Sequence, residues 1–161
     1  MPQRVFPPMP EIGRPEAFYA KMVHRADKAN DTFAHEAYKV GQYVTLGLDH
    51  KEPPDRKAKY FGHALRRHAN PPPDADGHVQ DFYRRLADLV RKSAGQEVLR
   101  LTRREHEILQ KRQAGGANHE ALVAEFGEFF KKLTGDHAHH RPDWIPTETW
   151  EQVRPIRTQW S

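Results

Sequence analysis

The stretch HVQDFYRRLADLVRKSAGQEVLRLTRREHEILQKRQAGGANHEALVAEFGEFFKKL, residues 78–133, decides the fold class. It opens with Val79, Phe82, Tyr83, Leu86, Leu89 and Val90, spaced i, i+3, i+4, i+7, i+10, i+11. That is one apolar stripe on a helix of 3.6 residues per turn. It closes with Leu122, Val123, Phe126, Phe129, Phe130 and Leu133, spaced i, i+1, i+4, i+7, i+8, i+11, which is again one helical stripe. Two such helices cannot leave their stripes in water, so they need each other or a third helix between them. The pattern places that third helix over residues 103–114. Ser93-Ala94-Gly95 predicts the end of the first helix, and Val98, Leu99 and Leu101 a short apolar connection. Thr102-Arg103-Arg104-Glu105 has the form of a capping box that starts the next. Gly115-Gly116 ends that helix, Asn118 caps the one after it, and Thr134-Gly135 ends the last.

Working outward, the chain divides into four parts: a Pro-rich arm (1–14), an N-terminal helical part (15–70), a C-terminal helical bundle (74–135), and a His-rich loop with a Trp-rich tail (136–161). The expected fold is all-α, a helical bundle of two small packed subdomains. Pro2, Pro7, Pro8 and Pro10 make the arm extended. Pro15 and Glu16 suit a helix start, and an apolar face runs from Phe18 to Leu48, with Asn30-Asp31 as a place to split it and Asp31 as a cap. Pro53 and Pro54 fix a turn. The next helix runs to about residue 69, with Tyr60, Phe61, Ala64, Leu65 and His68 inward and Arg56, Lys57, Lys59, Arg66 and Arg67 outward. Asn70-Pro71-Pro72-Pro73 stops it, and Asp74 or Asp76 caps the Val79 helix. Trp144, Trp150 and Trp160, the only tryptophans, crowd the tail and are expected to pack on the bundle or into a partner.

Composition narrows the function. Hydrophobic residues are 37% and charged residues 30%, so the core is lean and the surface large. The formal charge is +4, with 11 His that add to it below about pH 6.5. The charge is uneven: residues 1–50 balance, residues 51–69 sum to +4 and residues 96–114 to +2. With no Cys, disulfides, thiolate metal sites and a Cys nucleophile are excluded, and the chain suits the cytoplasm. No apolar run reaches the length of a membrane span, and the Met-Pro-Gln-Arg start does not read as a signal peptide.

No catalytic constellation emerges. His137, His139 and His140 beside Asp136 lack a partner at a spacing such as H-E-x-x-H and read as a solvated loop. Glu105/Glu107 lie among Arg103, Arg104, Lys111 and Arg112, where ordinary salt bridging is expected. Gly115-Gly116 lacks the Lys-Ser/Thr of a phosphate loop. No enzyme, metal or cofactor is expected. The remaining signal is basic: Lys57, Lys59, Arg66 and Arg67 on one helix, Arg84, Arg85, Arg91 and Lys92 on a second, and Arg103, Arg104, Lys111 and Arg112 on a third. Two readings of these twelve stay open, a solubilising surface or a set of phosphate contacts.

Two resemblances bear on the choice. Leu101 to Leu109, followed by Gly115 and Asn118-His119-Glu120, is similar to the opening of a LuxR-type helix-turn-helix. The helix after it, however, is Phe-rich where that family has a Ser/Thr-rich recognition helix. The second resemblance covers more chain. Phe61-Gly62-His63-Ala64-Leu65, His78-Val79-Gln80-Asp81-Phe82-Tyr83-Arg84-Arg85-Leu86, Gly115-Gly116 with Leu122, Glu125, Phe126 and Phe129, and Trp150, Val153, Arg154, Arg157 and Trp160 resemble, in order, segments of the small subunit of type I-E CRISPR Cascade complexes. His78 stands where that family has Ser, Arg84 and Arg85 follow the aromatic, and Pro155 interrupts the final helix. The resemblance implies a non-catalytic subunit that holds guide RNA, target DNA or a displaced strand by backbone contacts. It also implies adjacent copies of the chain, partner subunits against which the Trp-rich tail packs, and no membrane. The alternatives are an assembly subunit that binds only proteins, or a helix-turn-helix-like regulator.

Overall fold

The computed structural model describes residues 14–68, 77–135 and 140–161. Those residues form six α-helices and no strand, in the order α1 (Glu16–Lys28), α2 (Thr32–Leu48), α3 (Pro54–His68), α4 (Gly77–Ala114), α5 (His119–Thr134) and α6 (Thr147–Gln159). The all-α expectation holds. The proline arm, the Asn70–Asp76 stop and cap, and His137 and His139 lie outside the described residues.

Local signals place several boundaries as expected. Asn30 takes a left-handed conformation (φ 54°), which breaks the first helical run. Asp31 then accepts a hydrogen bond from the Ala34 amide at 3.0 Å and starts α2. Gly116, at φ 95°, turns the chain after α4, and the Ala117 amide donates back to the Arg112 carbonyl at 3.0 Å. The Asn118 carboxamide accepts from the Glu120 amide at 2.8 Å and caps α5. Gly135, at φ 72°, ends it.

The expected break inside residues 78–114 does not occur. α4 is one helix of 38 residues, roughly 57 Å long at 1.5 Å per residue. Gly95 does not end it. A β-carbon there would stand 2.6 Å from Thr149 Oγ1 and 3.1 Å from the Pro146 ring, so glycine is required where the start of α6 lies on the α4 backbone. Thr102 caps nothing: it is buried inside the helix and its hydroxyl has no partner. Burial outweighs the local stop signals, because α4 packs against α2, α3, α5 and α6 along its length.

One apolar cluster joins these helices. It includes Val40 and Val44 of α2, Phe61 and Leu65 of α3, Leu86, Val90 and Leu109 of α4, and Phe126 and Phe130 of α5. The tail belongs to it. Trp144, Trp150 and Trp160 are all buried within this chain, so they are not the exposed anchor for a neighbouring subunit that the resemblance implies. α6 runs through Pro155, which faces solvent; the missing N–H therefore removes a hydrogen bond on the wet side. α5 is likewise unbroken over 16 residues. It buries Phe126 and Phe130 and contains no second turn of a helix-turn-helix.

Candidate nucleic-acid interface

Lys57 corrects the outward-facing set. It is 2% exposed, the least accessible cation among the described residues. Its ammonium donates to the Gly47 carbonyl at 3.0 Å, the Asp49 carbonyl at 2.6 Å and Glu97 Oε1 at 3.2 Å. It thereby caps the C-terminal end of α2 and ties α3 to α4. Glu97 is also buried, and Arg100 holds it through Nε at 3.1 Å and Nη2 at 2.6 Å. Burial alone pushes the Glu97 carboxyl up; the Arg100 hydrogen bonds and the Lys57 charge reverse this and hold it below the usual carboxylate range. Lys57 is a structural cation with no face toward a phosphate.

The other cations divide by position. Arg67 donates to Glu36 at 2.7 Å and lies over the Tyr43 ring, and that hydrogen bond pushes its pKa up. Arg112 is held by Glu125 across the α4–α5 turn, which lowers the Glu125 pKa. Arg84 and Arg85 are exposed near the start of α4, with Arg84 4.0 Å from Asp81. Arg103, Arg104 and Lys111 are exposed on the far half of the same helix. Lys111 lies twenty residues beyond Arg91, roughly 30 Å along the rod. These twelve residues are not one surface.

What the fold does gather is a groove of about 1060 Å³ between α3, α4, α5 and the segment before α6. Lys59 and Arg66 come from α3, Arg91 from α4, Lys131 and Lys132 from the last turn of α5, and Arg141 from the segment after it. His140 adds an imidazole, and Asp55, Glu128 and Asp143 are the carboxylates among the described lining residues. Among the described lining residues the balance is six Lys and Arg cations against three carboxylates, in a chain whose whole formal charge is +4. Two of the guanidiniums are fixed in place. Arg91 Nε donates to the Asp143 carbonyl at 3.2 Å, and Arg141 Nη1 donates to the Ile145 carbonyl at 2.7 Å. Each keeps further N–H groups for a ligand. Arg66 Nη2 lies 3.3 Å from His63 Nδ1. The floor is Ala58, Gly62, Leu65 and Trp144, with the Trp144 ring stacked on Phe61 at 5.6 Å.

Of the twelve sequence-identified cations, Lys59, Arg66 and Arg91 line this groove, and Lys92 lies beside it along a second, smaller one. Lys131, Lys132 and Arg141 complete it and escape a reading by segment charge. The Lys pair ends the Phe-rich helix, where its cations already suit the negative end of the dipole. Arg141 follows a His-rich run that draws attention to metal chemistry instead. Among the described residues no three His, Asp or Glu side chains come together to hold a metal ion, and no helix is long and apolar enough to cross a membrane. The groove offers a row of N–H donors and positive charge along α3 and at the end of α5, which suits a ligand with repeated anionic oxygens. No family of known proteins, no curated protein and no solved structure matches the chain.

Proposed function

We propose that this chain is a non-catalytic protein that grips the sugar-phosphate backbone of a nucleic-acid strand in the α3–α4–α5 groove. The observation that carries this reading is the convergence of six cations, drawn from four separate segments, on one concave surface with three opposing carboxylates among the described residues. Scattered basic residues that only solubilise a surface have no reason to converge, whereas a polyanion rewards each of them by counterion release. The grip is on backbone rather than bases. Among the described lining residues Trp144 is the one large aromatic ring, beside the smaller His140 imidazole, and it is buried and stacked on Phe61. Binding is therefore indifferent to sequence and strongly salt-dependent.

The finer reading follows from the resemblance to the Cascade small subunit. Here the strand is guide RNA, target DNA or the displaced strand, the partners are larger subunits and adjacent copies of this chain, and the setting is the cytoplasm in antiviral defence. An assembly subunit that binds only proteins is supported less, because its tryptophan anchor is spent inside the chain.

Fluorescence anisotropy with a labelled 12-nucleotide single strand tests the first statement. The Lys131→Glu/Lys132→Glu pair should weaken binding at least tenfold and reduce the salt slope by about 1.4, some 0.7 for each lost phosphate contact. Arg103→Glu/Arg104→Glu, roughly 18–20 Å along the rod from Arg91 and outside the groove, should have a much smaller effect. Equal effects of the two pairs, or no binding by the wild-type chain, would overturn the groove. Purification of the tagged chain from its native cell tests the finer reading. RNA together with a ring of larger subunits supports it, and recovery without nucleic acid refutes it.

A further inference from the structure

The groove does not stop at Arg91 and Arg141. Both residues also line a second groove of about 540 Å³ between α4 and the start of α6. Its α4 wall runs from Asp88 to Leu99 and includes Lys92 and Gly95. Its far end is the N-terminus of α6, a helix of 13 residues. Pro146 occupies the capping position and has no side-chain hydrogen bond to give. Among the described residues, the first backbone amide of this helix to be bonded is that of Trp150, to the Pro146 carbonyl at 3.0 Å. The amides of Thr147, Glu148 and Thr149 are thus left as donors.

A second feature points the same way. Thr149 is 8% exposed and lines this groove, yet its hydroxyl makes no hydrogen bond among the described residues. Its oxygen is therefore left to a partner from the groove, a ligand or water. Gly95 makes the position possible, since any β-carbon there would strike Thr149 Oγ1 at 2.6 Å. The unused donors at the α6 start, the Thr149 hydroxyl and the two fixed guanidiniums thus border one concave space.

We infer that this space is a second phosphate seat for the same strand, an inference that rests on the backbone-gripping function proposed above. The strand would run from the end of α5, across Arg91 and Arg141, to the N-terminus of α6. Helix N-termini favour anions through their free amides and partial positive charge. Asp88, 3.9 Å from Arg91, and Glu148 oppose it. The seat is therefore weak for a free phosphate and useful for one tethered by the first groove, where effective concentration replaces intrinsic affinity. Asp55 to Arg66 on α3 and Asp88 to Leu99 on α4 each span eleven residues, roughly 16 Å. At about 3.4 Å per phosphate on a stacked strand, each groove takes about five phosphates. A 5-nucleotide strand fills one groove and a 12-nucleotide strand reaches both.

Oligothymidylates of 5 and 12 nucleotides, titrated against the full chain, test this. Lys92→Glu should weaken the 12-mer several-fold and lower its salt slope by about 0.7, and Thr149→Val should weaken it to a smaller degree. The 5-mer should bind both variants as it binds the wild type. The 12-mer, but not the 5-mer, should also shift the amide resonances of Thr147, Glu148 and Thr149. Lys92 is exposed, so its variant reports even where Thr149→Val fails to fold. If Lys92→Glu leaves the 12-mer unchanged, or weakens the 5-mer equally, the second seat does not exist. In that case the Lys131→Glu/Lys132→Glu pair still weakens both lengths. If that pair has no effect, or neither length binds, the backbone-gripping function itself fails and the seat falls with it.

Discussion

Replacing Lys57 with methionine separates the role its burial gives it from the one its charge suggests. Methionine keeps most of the volume and removes the ammonium. Three acceptors then lose their donor: the Gly47 and Asp49 carbonyls and Glu97 Oε1. Removing one partner of a buried ion pair costs about 3–5 kcal/mol, because the other charge is left uncompensated. Here Glu97 retains Arg100, which is half-exposed and holds both carboxylate oxygens, so the lower end of that range applies. The two carbonyls at the end of α2 add a penalty that water in the opened turn partly offsets. The net expectation is about 3 kcal/mol, which for a chain of this size lowers Tm by roughly 6–12 °C. Urea denaturation followed by circular dichroism measures it. In the double variant with Glu97→Met the losses should be sub-additive by about 1–2 kcal/mol, since an apolar pair replaces the orphaned carboxylate. A loss below about 1 kcal/mol for Lys57→Met, or a loss of strand binding with Tm unchanged, would refute the buried-joint assignment and return Lys57 to the phosphate contacts.

Three further outcomes follow from the same packing. The folded Glu97 carboxyl is held low by Arg100 and Lys57 against burial, so its ionised form stabilises the fold. The stability gap between wild type and Glu97→Gln should be constant above about pH 4.3, the ordinary carboxylate value, and close as pH falls from there through the lowered folded value; a gap that widens on acidification contradicts the assignment. Gly95→Ala gains about 1 kcal/mol of helix propensity but forces α6 from α4 at a cost of about 1–3 kcal/mol, so thermal unfolding should show a lower Tm, and a higher one would mean α6 does not sit on Gly95. Trp160 is buried and its indole N–H donates to His106 Nδ1 at 2.8 Å; Trp160→Ala should cost about 3–5 kcal/mol by urea denaturation, whereas a cost under 1 kcal/mol would detach the C-terminus from the core.

The parts of this fold that are legible in the sequence are those set by neighbours along the chain. Asn30-Asp31, Gly116 and Asn118 act within three or four residues, and they break or cap helices where their chemistry says they should. The apolar stripes name the core faces for the same reason. The parts that are not legible depend on distant segments. Gly95 reads as a stop until Thr149 and Pro146, more than fifty residues later, are found against its backbone. Thr102 has the right neighbours for a capping box, but helix continuity buries it before the box can form. Lys57 sits among outward cations and is turned inward by Glu97, forty residues away. The groove is illegible in the same way: Lys59 and Arg66 belong to a basic segment, Lys131 and Lys132 to an apolar one, and only the packing of α3 on α5 sets them face to face.

The buried joint and the groove are also mechanically one object. Lys57 lies two residues before Lys59 on α3, and Glu97 lies six residues after Arg91 on α4. The ion pair that locks α3 to α4 therefore sets the separation of two groove walls within a turn or two of the bond itself. A lean core makes such a lock useful: α3 adds Ala58, Phe61, Ala64 and Leu65 to the shared apolar cluster, and apolar contacts alone permit sliding that a directed Lys–Glu bond does not. Like charges facing each other across a groove push its walls apart, and a fixed strut resists that push when no polyanion is bound. Charge thus serves two incompatible environments on one helix. Lys57 is desolvated and fully bonded, so that Lys59 and Arg66 can stay hydrated and open to a ligand.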